Sequence, residues 1–135
     1  MKKPIYIIIA FAMVALLTQC RSHTRNWQAY FWTSTKTGIA QYLYINNVMK
    51  GQLPYLSSGP DCDDAAAKSR TLHLKLKSGT YDITVKDHDG NISFNETLTI
   101  RLSNGNKTIS TTQEDKTNGS RNVVEDNCLV HEIYF

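Results

Sequence analysis

Between residues 71 and 102 apolar and polar side chains alternate with few interruptions. Leu72, Leu74 and Leu76 alternate with Thr71, His73, Lys75 and Lys77; Tyr81, Ile83 and Val85 alternate with Thr80, Asp82, Thr84 and Lys86. Neighbouring residues of a strand face opposite sides, so a period of two predicts half-buried strands with one face on a core and one in water. Ser78-Gly79 and Asp89-Gly90 separate the runs as turns. Ile92, Phe94, Leu98, Ile100 and Leu102 share one parity, and Glu96 shares it too. A carboxylate on that side implies a bulge near Asn95 or a solvated edge. Asn104-Gly105 is a strong hairpin signal, with residues 107–112 returning.

The rest of the chain reads the same way with weaker periodicity. An aromatic-rich strand is predicted at Trp27–Thr33 and another at residues 41–45. Asn46-Asn47 suits a tight hairpin turn because Asn tolerates positive φ. The return strand, residues 48–53, is stopped by Pro54, and a final strand covers Cys128–Tyr134. Two segments break the pattern. Residues 57–69 carry Asp61 as the expected cap of a one- or two-turn helix, and residues 113–122 are wholly polar and predict a mobile loop. About seven short strands and no long amphipathic helix predict an all-β chain. The expected fold for residues 27–135 is an antiparallel β-sandwich with one short helix in a cysteine-bearing loop.

The N-terminus has a different character. Lys2 and Lys3 precede an unbroken apolar run at 5–17, and Leu17-Thr18-Gln19-Cys20 ends it on a cysteine. The run is about thirteen residues, short of the roughly 20 that a spanning helix needs. This stretch resembles a bacterial lipoprotein signal peptide. The resemblance implies removal of residues 1–19, acylation of Cys20 as the mature N-terminus, and a membrane tether at 20–26. Arg21, in place of the aspartate associated with inner-membrane retention, implies an outer-membrane address facing the periplasm. Gln19 stands where such signals usually have a small residue, and cleavage elsewhere or an uncleaved anchor are the alternatives.

That reading changes the charge and the cysteine count. Without Lys2 and Lys3 the 15 basic residues fall to 13 against 12 acidic, so the mature domain lacks the basic footprint of a nucleic-acid binder. With Cys20 carrying lipid, Cys62 and Cys128 remain as an even pair in an oxidising space. Two thiols without nearby histidines make a poor metal site. A disulfide closing a loop of about 66 residues contributes roughly 4 kcal/mol on the chain-entropy model.

Leu43-Tyr44-Ile45-Asn46-Asn47-Val48-Met49-Lys50-Gly51-Gln52-Leu53-Pro54, continued by Leu76-Lys77-Ser78-Gly79-Thr80-Tyr81-Asp82-Ile83-Thr84-Val85, resembles a PEGA-type repeat. Those small bacterial β domains have a strand, a tight turn, a Gly-x-x-Pro step and a Gly-x-Tyr before an alternating strand. Here Asn47 replaces the usual turn glycine, and an insertion of about 20 residues carrying Cys62 separates the halves. The resemblance implies a non-catalytic extracytoplasmic β domain and carries over no binding residue.

Candidate chemistry is sparse. His23, His73, His88 and His131 show no Ser/His/Asp or metal-ligand spacing and are expected as solvated surface residues. Asp61, Asp63 and Asp64 are oxygen donors of the kind calcium takes, as are Asp87, Asp89 and Asn91, but neither group fits an EF-hand. Helix capping and turn chemistry account for them, and no metal or other cofactor is expected. The aromatic residues Trp32, Tyr42, Tyr44 and Tyr55 are the best ligand-binding candidates. With Leu43 and Ile45 pointing inward, Tyr42 and Tyr44 face the other way, where flat rings can stack on sugars or anchor a protein. The expected function is that of a non-enzymatic envelope lipoprotein, a β scaffold for a protein or glycan partner. The alternatives are a carbohydrate- or peptidoglycan-binding module using exposed aromatics, and a small envelope enzyme or enzyme inhibitor built on loops such as 59–64.

Overall fold

A computed structural model describes residues 26–103, 106–113 and 118–135. The signal-like segment, Cys20 and the tether up to residue 25 lie outside the described residues, as does the Asn104-Gly105 turn. Among the described residues there are nine strands: β1 (Trp27–Thr33), β2 (Tyr42–Ile45), β3 (Val48–Gln52), β4 (Leu72–Leu76), β5 (Gly79–Lys86), β6 (Ile92–Ser103), β7 (Asn106–Gln113), β8 (Gly119–Glu125) and β9 (Cys128–Tyr134). A short helix among them, α1, covers Ala65–Lys68. The strands form a four-stranded sheet, order β4-β1-β9-β8, and a five-stranded sheet, order β3-β2-β5-β6-β7. The two sheets pack face to face as the expected all-β sandwich, with antiparallel pairing throughout except that β1 and β9 run parallel.

The alternation seen in the sequence is the alternation seen in the core. Ile83, Val85, Phe94, Leu98 and Ile100 of the five-stranded sheet meet Trp27, Ala29, Phe31, Leu129 and Ile133 of the other, with Leu43 and Ile45 beside them. Burying each large side chain of this set stabilises by about 1.5–3 kcal/mol. The Asn46-Asn47 turn forms as expected, both residues at positive φ (51° and 63°). The turn from β5 to β6 is held by Asp87, whose Oδ1 accepts from the Asp89 and Asn91 amides at 2.9 Å. Gly90 takes φ 86° there, a conformation that suits a residue without a Cβ.

Several expectations need correction. Residues 113–122 are not one loop, because β7 runs to Gln113 and β8 begins at Gly119. β8 escaped notice because Ser120, Arg121 and Asn122 are all polar; Ser120 and Asn122 point toward the space between the sheets and bond there. Glu96 is neither at a bulge nor solvated. The register of β5 on β6 is regular through Glu96, and the irregularity comes further on at Ser93, which has no register partner between Val85 and Lys86. That bulge shifts parity, so Phe94 is buried while Ile92 is 63% exposed. α1 is capped by Asp64, not Asp61: the Asp64 carboxylate accepts from the Ala67 amide at 2.8 Å. Finally, His131 is fully buried in the core.

Strand β1 explains its own odd composition. Trp27, Ala29 and Phe31 enter the main core, yet Trp32 on the opposite side is also buried. Residues 54–71 leave β3, cross the outer face of the four-stranded sheet and return into β4. Leu56 and Cys62 from this excursion pack on Trp32 and Val130 as a second small core. A strand covered on both sides needs apolar residues at consecutive positions, so it reads as a run and not as an alternation.

Candidate functional site

The disulfide Cys62–Cys128 forms, with Cα atoms 6.0 Å apart. It ties the excursion to the start of β9. Around it, Lys68 donates to the Cys62 carbonyl and lies 5.2 Å from the Tyr30 ring centroid. Tyr30 stacks on His73 at 4.7 Å, and His73 Nε2 contacts the Gln28 side-chain oxygen at 2.7 Å. Thus His73 is on the polar face, as expected, but engaged. His88 is exposed in its turn beside Asp89.

The excursion covers only part of the sheet beneath it. Where it stops, a groove of about 310 Å³ opens between residues 57–61 and the outer sides of β8 and β9. Trp32, Val123 and Val130 form an apolar floor. Ser57, Ser58 and Asp61 line one wall; Arg121 and Glu132 line the other. Arg121 Nη1 lies 3.7 Å from Glu132 Oε2, with the Arg121 side chain largely exposed, so the guanidinium is weakly held and able to move onto a ligand. Gly59 lies against the Trp32 ring: a Cβ there would stand 2.4 Å from the indole Cζ2. Only glycine allows the loop to come that close. The Trp32 indole N–H beneath it is buried without a hydrogen-bond partner among the described residues.

The aromatic candidates are not brought together. Trp32 is 5% exposed and floors the groove. Tyr42 and Tyr44 are half-buried on the outer face of the other sheet, opposite Leu43 and Ile45 as expected. The Lys86 ammonium lies 4.9 Å from the Tyr44 ring centroid. Tyr55 is 44% exposed and bridges to Thr33, the last residue of β1. Among the described residues no three His, Cys, Asp or Glu side chains converge as a metal-binding group. Asp64 is occupied in capping α1, and Asp87 in its turn. Three hydrogen bonds and the neighbouring His88 act on Asp87. The Asn91 side-chain amide is foremost among them and outweighs the cost of desolvation, holding the Asp87 carboxyl below its ordinary range.

The most polar assembly of the interior was not visible in the sequence. His131 Nε2 and Glu96 Oε1 are 2.6 Å apart, both side chains fully buried, one from each sheet. Ser120 donates to Glu96 Oε2 at 2.7 Å, and His131 Nδ1 contacts Asn122 Oδ1 at 2.5 Å. Phe31 meets the imidazole edge-on. The one cue available beforehand was the carboxylate at an apolar parity in β6; its partner on β9 is 35 residues away and only the packing of the sheets identifies it.

Comparison with protein-family models, with curated proteins and with solved structures finds no match to the chain. Among the described residues no helix is long and apolar enough to cross a membrane.

Proposed function

We propose that this chain is a lipid-anchored envelope protein whose β-sandwich recognises a partner without catalysing a reaction. The observation that carries the reading is the groove beside residues 57–61: an apolar floor, a weakly held arginine and a wall of serine hydroxyls, kept open by a loop that the disulfide pins. Apolar floors with a few polar groups at the rim are typical of binding clefts. The lipobox-like Cys20 supports the anchor, and a Cys62–Cys128 disulfide belongs to an oxidising compartment. A non-catalytic role is supported by the placement of the histidines. His131 is sealed in the core, His73 is stacked on Tyr30, and His88 stands in a turn, so none of the histidines among the described residues offers a base at the groove.

The test has two arms. Labelling of the full-length chain with radioactive palmitate in a bacterial host should modify the wild type and not Cys20→Ala. A photo-crosslinking residue at Ser58, inside the groove, should give one discrete adduct in the envelope, and the same residue at exposed Lys36 should give none. An unmodified chain in the cytosol with free Cys62 and Cys128 thiols would refute the anchor. Equal crosslinking from both positions would refute the groove.

A further inference from the structure

We infer that the groove beside residues 57–61 receives a basic side chain, a lysine or arginine of a protein partner; this rests on the groove reading above and names its occupant. Three charged residues line the groove: Asp61, Arg121 and Glu132. Arg121 and Glu132 are register partners on β8 and β9, and their side chains meet at 3.7 Å, so their charges offset one another. Asp61 stands exposed on the facing wall. Its carboxylate has no hydrogen bond or ion pair among the described residues. One negative charge is therefore left uncompensated. Asp63 and Asp64 follow it, also exposed. The next basic residue along the chain, Lys68, is turned away to the Cys62 carbonyl and the Tyr30 ring, and Arg70 comes only after α1. The field of this wall draws a cation.

The floor selects the kind of cation. Trp32, Val123 and Val130 are apolar, and an apolar strip that ends at a carboxylate matches a side chain with a methylene stem and a charged head. The hydroxyls of Ser57 and Ser58 can accept from that head, while Arg121 can turn to the partner's backbone carbonyls. A wholly apolar occupant would cover Asp61 and leave a carboxylate shielded from water without a partner, which is costly. An acidic occupant would add a second negative charge against Asp61. It could also reach Arg121 only by taking it from Glu132, whose side chain is just 13% exposed and would lose its counter-charge.

Titration of the full-length protein in detergent micelles with blocked tripeptides tests this, read by backbone amide chemical shifts. Gly-Lys-Gly and Gly-Arg-Gly should move residues 57–61, Val123 and Val130, and Gly-Glu-Gly should not. A peptide with diaminobutyrate, a lysine shortened by two methylenes, carries the same charge and should bind about fivefold more weakly, because less stem lies on the floor. Asp61→Asn should weaken the lysine peptide about tenfold, the effect of one lost charge-assisted hydrogen bond. Asp126→Asn, in the β8–β9 turn, should leave it unchanged, and Arg121→Gln should keep the preference for lysine over glutamate. Equal affinity for the shortened peptide, or no effect of Asp61→Asn, would overturn the basic occupant. Groove shifts with Gly-Glu-Gly that vanish in Arg121→Gln would overturn it in favour of an anion and leave the groove a binding site. Silence from every peptide would also overturn it; a discrete adduct from Ser58 alongside would show that the groove reading survives, and equal crosslinking from Ser58 and Lys36 that both have failed.

Discussion

The two outer faces of this sandwich are finished in different ways. On the four-stranded sheet, residues 54–71 fold back and bury Trp32 and Val130 under Leu56 and Cys62, with a disulfide holding the cover in place. On the five-stranded sheet, threonines and other polar side chains remain open to solvent. The covered face owes its order to a cross-link and a small apolar cluster; the open face owes its order to the main core behind it. Stability should therefore respond very differently to changes on the two sides. The covered side can loosen locally, whereas the sheet behind the open face should yield only with the whole domain.

The largest effect is expected at the polar contact that joins the sheets. Glu96→Ala leaves His131 buried opposite an empty space and should cost about 5 kcal/mol, the upper end of the range for breaking a buried pair. Urea unfolding measures it. Replacing both residues by leucine should recover most of the loss, since no buried polar group is then left without its partner. If Glu96→Ala is neutral, the contact does not lock the sheets.

Removal of the staple comes next. Cys62→Ser with Cys128→Ser should cost about 4 kcal/mol on the chain-entropy model. Its signature is local: the excursion should lose amide-exchange protection, and Trp32 fluorescence should shift to the red, before the main core unfolds. A single coincident transition for both regions would show that the two faces are not separable. A smaller loss, about 1 kcal/mol, is expected from Asp64→Ala, which removes the cap of α1. It should be read as faster amide exchange within residues 65–68 and no change in β5 or β6.

The smallest effect concerns the β5–β6 turn. Folding lowers the Asp87 carboxyl below its ordinary value of 3.8, so its contribution is fully present above that value and declines as pH falls through the lower folded-state value. The stability difference between wild type and Asp87→Asn should be level from neutral pH down to mildly acid conditions and shrink below about pH 4. A difference that grows on acidification would contradict the hydrogen bonding seen at Asn91.

Some features were legible because they are local. The alternation at residues 71–102 identified β4, β5 and most of β6, and it gave the inward parity of Leu98 and Ile100. Asn46-Asn47 announced its turn, because few residues accept positive φ. β8 was missed because a strand whose inward residues are Ser120 and Asn122 has no apolar period to detect. Of the candidate site, Trp32 and the loop at 59–64 were singled out, but Arg121 and Glu132 were not. Nothing in their own neighbourhoods marks them; they matter because β9 lies next to β1 and β8 next to β9.

What the sequence alone determined, then, is most of the secondary structure, the faces of most strands and the pairing of Cys62 with Cys128. Those follow from periods and counts that need no knowledge of distant neighbours. Tertiary structure alone decided which strands share a sheet, including the parallel β1–β9 pair, and which outer face is covered. It also turned Glu96 and His131 from two anomalies into one buried contact. The reason is physical: alternation says which side of a strand is buried, but what buries it is set by the packing of segments far apart in the chain.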